Sequence, residues 1–249
     1  MANTSPVVLI TGASRGIGAA AATLAARDGF DVAIGYVKNE AAAQQVAEAV
    51  RRRGRRAVTV QGDVANLEDV SRMFIQAEEQ LGNITALVNN SGITGPIGPF
   101  SNTTSETVEQ VFRVNVFGTI EACRQAVERF RRNNIPGVIV NVSSVAASTG
   151  SPHEYIHYAA SKAAVETFTI GLAREVAEHG IRVCAVAPGS TLTDIHATAG
   201  EPDRPLRVAP RIPMGRLAQP EEIAETITWL LSPAASYLTG TVVRCSGGA

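Results

Sequence analysis
The tightest constraint on this chain of 249 residues is an alternation that runs along its whole length. Short, mostly β-branched apolar runs at 7–10, 32–34, 57–60, 86–88, 138–142, 183–187 and 241–243 are separated by amphipathic stretches at 16–27, 39–53, 67–81, 106–132, 158–179 and 220–231. A run without polar alternation suits a strand buried on both faces, as in a parallel sheet covered by helices. Parallel neighbours need a long crossover, which the amphipathic stretches can supply as helices. The expected fold is α/β, an open, doubly wound parallel sheet with helices on both faces. Neither a repeat nor a linker divides the sequence, so one domain over 1–249 is expected.

Local signals set the element ends. Asn66 is placed to cap the third helix, with Asp69 near its positive end. Thr104 or Ser105 precedes Glu106 in the same way, and Pro220-Glu221-Glu222 suits a first helical turn. The run Arg51-Arg52-Arg53-Gly54-Arg55-Arg56 falls where the second helix should stop. Gly54 is expected to turn the chain there, leaving the arginines as a solvated helix end. One connection is irregular: residues 188–213 hold five prolines with Gly189 and Gly200, and are expected to form a lid over the substrate.

Composition narrows the partners. With 22 basic and 23 acidic side chains the net charge is −1, which gives no general attraction for nucleic acid or an anionic membrane. Cys123, Cys184 and Cys245 form no CxxC or Cys/His cluster, and the four histidines are dispersed, so no metal site is expected. His153 and His196 are the two histidines that could line a substrate cleft. No apolar stretch approaches the roughly 18 residues of a membrane helix, and the first residues lack the basic, then apolar, pattern of a secretory signal. The expected location is the cytoplasm.

The first apolar run leads directly into Thr11-Gly12-Ala13-Ser14-Arg15-Gly16-Ile17-Gly18 and then an alanine-rich helix. Glycines let a pyrophosphate approach the backbone, and the helix start offers it unpaired N–H groups. Gly12, Ser14, Arg15, Gly16, Ile17 and Gly18 are the candidate cradle, spaced G-x-x-x-G-x-G. The acidic residue expected about 20 positions on, to hold the ribose 2′-hydroxyl of NAD, is missing: the second strand ends Gly35-Tyr36-Val37-Lys38, and Asp31 lies at its other end. Arg15 and Lys38 instead suit a 2′-phosphate, so NADP(H) is expected, with Tyr36 beside them. Asp63 and Val64, Asn89, Ser91 and Gly92 stand at further strand ends, where ligands bind in such sheets.

Tyr158 and Lys162 are four residues apart, on one face of a helix. Upstream, 138–142 ends in Ser143-Ser144, and Asn115 interrupts an otherwise helical stretch. Together with the glycine turn, these residues closely resemble the short-chain dehydrogenase/reductase family over essentially the whole chain, through Pro188-Gly189 to Gly247-Gly248. The resemblance implies a Rossmann-like sheet, a homotetramer and a catalytic set of Asn115, Ser144, Tyr158 and Lys162. Asn115 would hold a water of a proton relay, and Ser144, favoured over Ser143, would polarise the substrate oxygen. Tyr158 would act as general acid or base, with Lys162 holding the nicotinamide ribose and lowering the tyrosine pKa from its free value near 10. Thr193 would contact the nicotinamide amide and Thr191 would offer its backbone, with Pro188 and Gly189 completing the cofactor-binding set. Tyr155 has no lysine four residues on and is set aside.

The expected function is NADP(H)-dependent hydride transfer to or from a carbonyl or secondary alcohol of a small molecule. The stretches 150–155 and 200–204 resemble sugar or glucose dehydrogenase-like members. A 3-oxoacyl-acyl-carrier-protein reductase and a non-catalytic NADP(H)-binding regulator are the alternatives; the intact tyrosine–lysine set weighs against the regulator.

Overall fold
The computed structural model describes residues 5–249, with the side chain of His196 outside that description. Every apolar run forms a strand: β1 (Val7–Ile10), β2 (Asp31–Tyr36), β3 (Ala57–Gln61), β4 (Ala86–Asn89), β5 (Val138–Val142), β6 (Arg182–Pro188) and β7 (Val242–Cys245). They make one parallel sheet in the order β3-β2-β1-β4-β5-β6-β7. The main helices are α1 (Gly16–Arg27), α2 (Glu40–Arg51), α3 (Leu67–Leu81), α4 (Ser105–Phe112), α5 (Gly118–Arg132), the short α6 (Ala146–Thr149) and α7 (Ile156–Val176). Two further short helices, α8 (Ile195–Thr198) and α9 (Arg204–Val208), precede α10 (Pro220–Leu231).

Successive strand residues point to opposite faces, so each run serves two cores. Val8, Ile10, Val32, Ile34 and Val140 pack under α1, α2 and α10. Leu9, Ala33, Leu87, Ile139 and Val183 pack under α3, α5 and α7, around Phe74 and Phe130. The chain winds outward from β1 to β3, then returns to β4 on the other side of β1. The loops leaving β1 and β4 therefore diverge, and a crevice opens at the sheet's carboxyl edge.

Helix caps largely follow the sequence: Asn66 accepts from the Glu68 amide at 3.0 Å, and Thr104 from the Thr107 amide at 3.2 Å. Two expectations are corrected. The stretch 106–132 is not one helix: α4 gives way to a π-helical turn, Arg113–Phe117, before α5 begins. Its cause is tertiary, because Asn115 is drawn to the β4 exit loop and Gly118 lies so close to Val64 that a Cβ would stand 2.7 Å from the Val64 carbonyl. The arginine run is also more than a solvated end. Gly54 does turn the chain (φ +75°), but Arg55 and Arg56 reach back to the buried Asp31 carboxylate, each at 2.7 Å, closing the amino end of β2.

Burial alone would raise the Asp31 carboxyl, but the Arg56 amide and both guanidinium groups outweigh it and hold it below the ordinary carboxylate range. Its stabilising contribution is therefore complete above about pH 4 and fades as the pH falls through the native value. Asp31→Asn should cost about 2–3 kcal/mol, at the lower end for a buried pair because Arg56 is half-exposed. That corresponds to a drop in Tm of about 5–10 °C at pH 7. Thermal unfolding measured at pH 7 and pH 3.5 checks it, and the gap between the two proteins should narrow at the lower pH.

Candidate active site
The loop from β1 to α1 passes through two left-handed glycines, Gly12 (φ +62°) and Gly16 (φ +57°). A Cβ on Gly18 would lie 2.5 Å from Asn90 Nδ2 and 2.6 Å from the Gly12 carbonyl, so only glycine fits. The neighbouring β4 loop is tied on: Thr11 Oγ1 accepts from the Asn90 and Ser91 amides, both at 3.0 Å, while Asn90 Nδ2 donates to the Gly12 carbonyl at 2.9 Å. Helix α1 has no side-chain cap, and its first N–H groups stand over this glycine surface. A cradle that any Cβ would fill, at a bare helix start, fits the pyrophosphate of a dinucleotide.

Around the cradle the candidates divide. Arg15 and Lys38 are exposed, and Arg15 meets Asp194 of the 188–213 segment at 3.4 Å. Tyr36 is buried at the β2 end, and Ile17 packs into the first core, so its backbone alone borders the loop. Ser14 is half-buried in the loop itself. Asp63 turns its own loop by accepting from the Ala65 amide at 2.9 Å, with Val64 buried behind it. Ser91 and Gly92 border the crevice: Ser91 Oγ abuts Gly12, and a Cβ on Gly92 would stand 3.3 Å from Lys162 Nζ. Thr193 packs its methyl group on Gly16. Pro188 ends β6, and the Gly189 amide is spent on the Cys245 carbonyl at 2.8 Å. Two candidates have their side chains turned into the protein, which leaves their backbone for a ligand. Asn89 is buried and bridges β4 to β5, donating to Asn141 Oδ1 at 2.9 Å and contacting Cys123 Sγ. Thr191 is buried with its hydroxyl on the Gly189 carbonyl at 3.1 Å. In both, a polar group inside the protein has found an internal partner rather than remain open for a ligand.

Tyr158, Lys162, Ser144 and Asn115 converge at the carboxyl edge of β5. The buried Lys162 Nζ lies 5.7 Å from the Tyr158 ring centre and donates to the Val142 carbonyl at 2.7 Å. Ser144 accepts from the Ala146 amide at 3.2 Å, and its hydroxyl lowers the Tyr158 phenol. Ser143 is turned inward instead, donating to Glu166 at 2.8 Å. The Asn115 amide pins the β4 loop to α7: Oδ1 accepts from the Ile93 amide at 2.9 Å, and Nδ2 donates to the Ile93 carbonyl at 2.9 Å and to Ser161 Oγ at 3.0 Å.

Burial pushes the Tyr158 phenol well above its ordinary range, opposed by the Ser144 hydroxyl and by the charge of Arg204. The Lys162 amine is itself pushed down to about 8 by burial, with Glu166 acting in the opposite direction. Tyr155, set aside in the sequence, is buried edge-on against Tyr158, with ring centres 5.2 Å apart at 86°. His157 is buried with Nε2 at 2.8 Å from the Thr94 carbonyl, whereas His153 is exposed in a left-handed turn (φ +65°). The His196 side chain lies outside the described residues. Nothing in residue spacing marks Tyr155 or Arg204, because their contact joins positions 49 residues apart. Among the described residues no group of three or more metal-ligating side chains forms, and no helix is long and apolar enough to cross a membrane.

A glycine cradle at the switch point and a buried phenol–amine–hydroxyl group beside it define a nicotinamide-dependent oxidoreductase. A protein-family model described as enoyl-(acyl carrier protein) reductase matches residues 12–249. The chain is 46% identical to an uncharacterised oxidoreductase, YgfF, of Escherichia coli, over 97% of this chain and 99% of that one. It is 38% identical to 3beta-hydroxysteroid dehydrogenase 1 of Eggerthella lenta, over 97% and 92% of the two chains. The crystal structure of acetoin dehydrogenase YohF from Salmonella typhimurium superposes with a TM-score of 0.88 at 33% identity, covering 98% of this chain and 96% of that one. The chain belongs to the short-chain dehydrogenase/reductase family. It is an oxidoreductase of alcohol and carbonyl substrates that uses a nicotinamide dinucleotide.

The two serines can be separated by experiment. Ser144→Ala should lower kcat about 100-fold, the scale of one lost oxyanion donor, with little change in Tm. Ser143→Ala should keep kcat within a few-fold and lower stability by about 1–2 kcal/mol, because Glu166 loses its internal donor. Steady-state kinetics and thermal unfolding of both variants read the split.

Proposed function
We propose that this protein is an NADPH-dependent reductase of small-molecule ketones and aldehydes, running in reverse as a secondary-alcohol dehydrogenase, with Tyr158 as its proton donor. The observation that carries the reading is a buried phenol, raised by desolvation and countered by the Ser144 hydroxyl, with the buried Lys162 Nζ 5.7 Å from its ring centre and Gly92 against that amine. A phenol above its ordinary range is protonated at neutral pH, the state a general acid requires.

The nicotinamide, when bound, supplies or accepts the hydride at the substrate carbon. Gly12, Gly16, Gly18 and the α1 amides would hold its pyrophosphate, and Ser91 and Gly92 border the crevice between that cradle and Lys162. Ser144 Oγ and Tyr158 Oη together hold the substrate oxygen, and Tyr158 delivers its proton as negative charge develops there. Lys162, with an amine near 8, is mainly an ammonium at pH 7. It stabilises the phenolate left behind and binds the ribose hydroxyls. Asn115 keeps the β4 loop and α7 in register, so that Gly92 and Lys162 stay adjacent.

NADP(H) is favoured because β2 ends in Tyr36-Val37-Lys38 without an acid, and both Arg15 and Lys38 are open to solvent. The Arg15–Asp194 pair is long and exposed, so it competes weakly with a 2′-phosphate. The substrate is a ketone or secondary alcohol held under the 188–213 segment as a lid. Relatives named for a steroid and for acetoin, similar to this chain at 38% and 33% identity, support that class without choosing a size. The reading includes a cytoplasmic homotetramer, supported by the exposed Phe117, Ile120, Trp229 and Tyr237, which a subunit interface would cover.

Tyr158→Phe should reduce turnover at least 100-fold and leave NADPH affinity nearly unchanged. NADPH oxidation followed with a panel of aldehydes, ketones and ketosugars tests this, and retained activity in the variant would remove the mechanism. Separately, Arg15→Ala should raise KM for NADPH by about tenfold, the scale of 1.4 kcal/mol from one phosphate contact, and leave KM for NADH within twofold. Equal effects on both cofactors would remove the assignment of the 2′-phosphate contact.

A further inference from the structure
Two stretches that resemble dehydrogenase relatives, 150–155 and 200–204, take no part in the chemistry so far, yet they meet in the structure. Arg204, the first residue of α9 in the 188–213 segment, is only 7% exposed. Its Nη2 donates to Glu154 Oε2 at 2.6 Å and to Tyr155 Oη at 2.8 Å, with the guanidinium 5.4 Å from the Tyr155 ring centre. Glu154 also pairs with Arg207 at 3.0 Å. Tyr155 in turn stands edge-on to Tyr158. The same corner is knitted by backbone bonds: Ile97 donates to Ala199 at 3.2 Å, and Gly98 to Glu154 at 2.8 Å.

We propose that Arg204 is a positioning residue for Tyr158, acting through Tyr155, so that the proton donor is fully set only while the 188–213 segment is docked. The inference rests on the reading of Tyr158 as proton donor. A latch alone does not need a charge. Burying a guanidinium costs several kcal/mol unless it is well paired, and Arg204 Nε has no partner among the described residues. An apolar side chain on the Tyr155 ring would hold the segment without that cost. What the charge adds is a field at the phenol: a nearby cation favours the phenolate and so strengthens the acid.

The groups around Tyr158 are few. Lys162 lies on its own helix and His157 beside it is turned to the Thr94 carbonyl; Ser144 comes from the β5 exit, Tyr155 and Glu154 from the preceding turn, and Arg204 from the segment above. Arg204 lowers the phenol's pKa, whereas burial and Tyr155 raise it. Removing its charge therefore moves the phenol further up. In the oxidative direction the rate follows the phenolate, so the rising limb of kcat/KM against pH shifts to higher pH.

The test uses the full-length enzyme with NADP+ and the best substrate from 2,3-butanediol, cyclohexanol and a hydroxysteroid. Arg204→Gln is expected to move the limb up by about one pH unit and cut oxidation about tenfold at pH 7, with KM for NADP+ changed less than twofold. Tyr155→Phe keeps the ring contact and the Arg204 charge but loses both the bond that holds Arg204 and the hydroxyl that raises the phenol, so the two effects oppose and its limb should move less than that of Arg204→Gln. Arg204→Lys should restore part of the shift. An unmoved limb in folded Arg204→Gln overturns the inference and leaves Arg204 a latch. If that variant does not fold, Arg204→Met, neutral and of similar length, decides by the same criterion. An active Tyr158→Phe would instead fail the underlying reading, whereas an inactive one with an unmoved Arg204→Gln limb fails this inference alone.

Discussion
The site depends on a small exchange of hydrogen bonds at the point where the sheet's winding reverses. Thr11 gives one hydroxyl oxygen to two amides of the β4 loop, and Asn90 returns its amide to the carbonyl oxygens of Thr11 and Gly12. Both partners sit at carboxyl ends of adjacent parallel strands, where the loops would otherwise diverge. Fastening them fixes the glycine turn on one side and Gly92 on the other. Gly92 is what brings the loop against Lys162 and Asn115. Dinucleotide cradle and proton-transfer group thus share one rigid origin, the alignment a hydride-transfer enzyme must provide for its cofactor.

Burial then sets the chemistry of the two titratable groups in opposite directions on the pH scale, yet toward the same end. It raises the phenol and lowers the amine, favouring the neutral form of each. A neutral phenol is a stored proton, and an amine near 8 is still charged at pH 7, which suits the proposed role of Tyr158 as proton donor. Without counterweights the phenol would be too weak an acid. The hydroxyl of Ser144 and the charge of Arg204 act against the desolvation, one through contact and the other through the field.

Much of this was legible in the residues, and what was not has a common cause. All seven strands coincide with the apolar runs, because continuous β-branched segments leave a parallel sheet few alternatives. Tyr158, Lys162 and the glycines were legible because their spacing is local, one helical turn or one tight loop. The departures are long-range. Asn89 looks available at a strand end until Asn141 appears opposite it on β5. Asn115 signals a weak helix, but the π turn depends on a partner at Ile93, and Arg55 and Arg56 look solvated until β2 brings Asp31 beside them. Tyr155 lacks the local partner that marks a catalytic tyrosine; its role depends on an arginine supplied from another part of the chain.

The placement of charge follows from these constraints. Lys162 and Arg204 are buried where an apolar side chain would cost less, and Arg204 Nε finds no acceptor among the described residues. Such groups are tolerable because the rest of the fold is over-determined: each strand feeds two apolar cores, and clamps such as Asp31 with Arg55 and Arg56 close the sheet at the edge opposite the site. One end of the sheet holds the fold together so that the other can hold a proton donor in an unfavourable place.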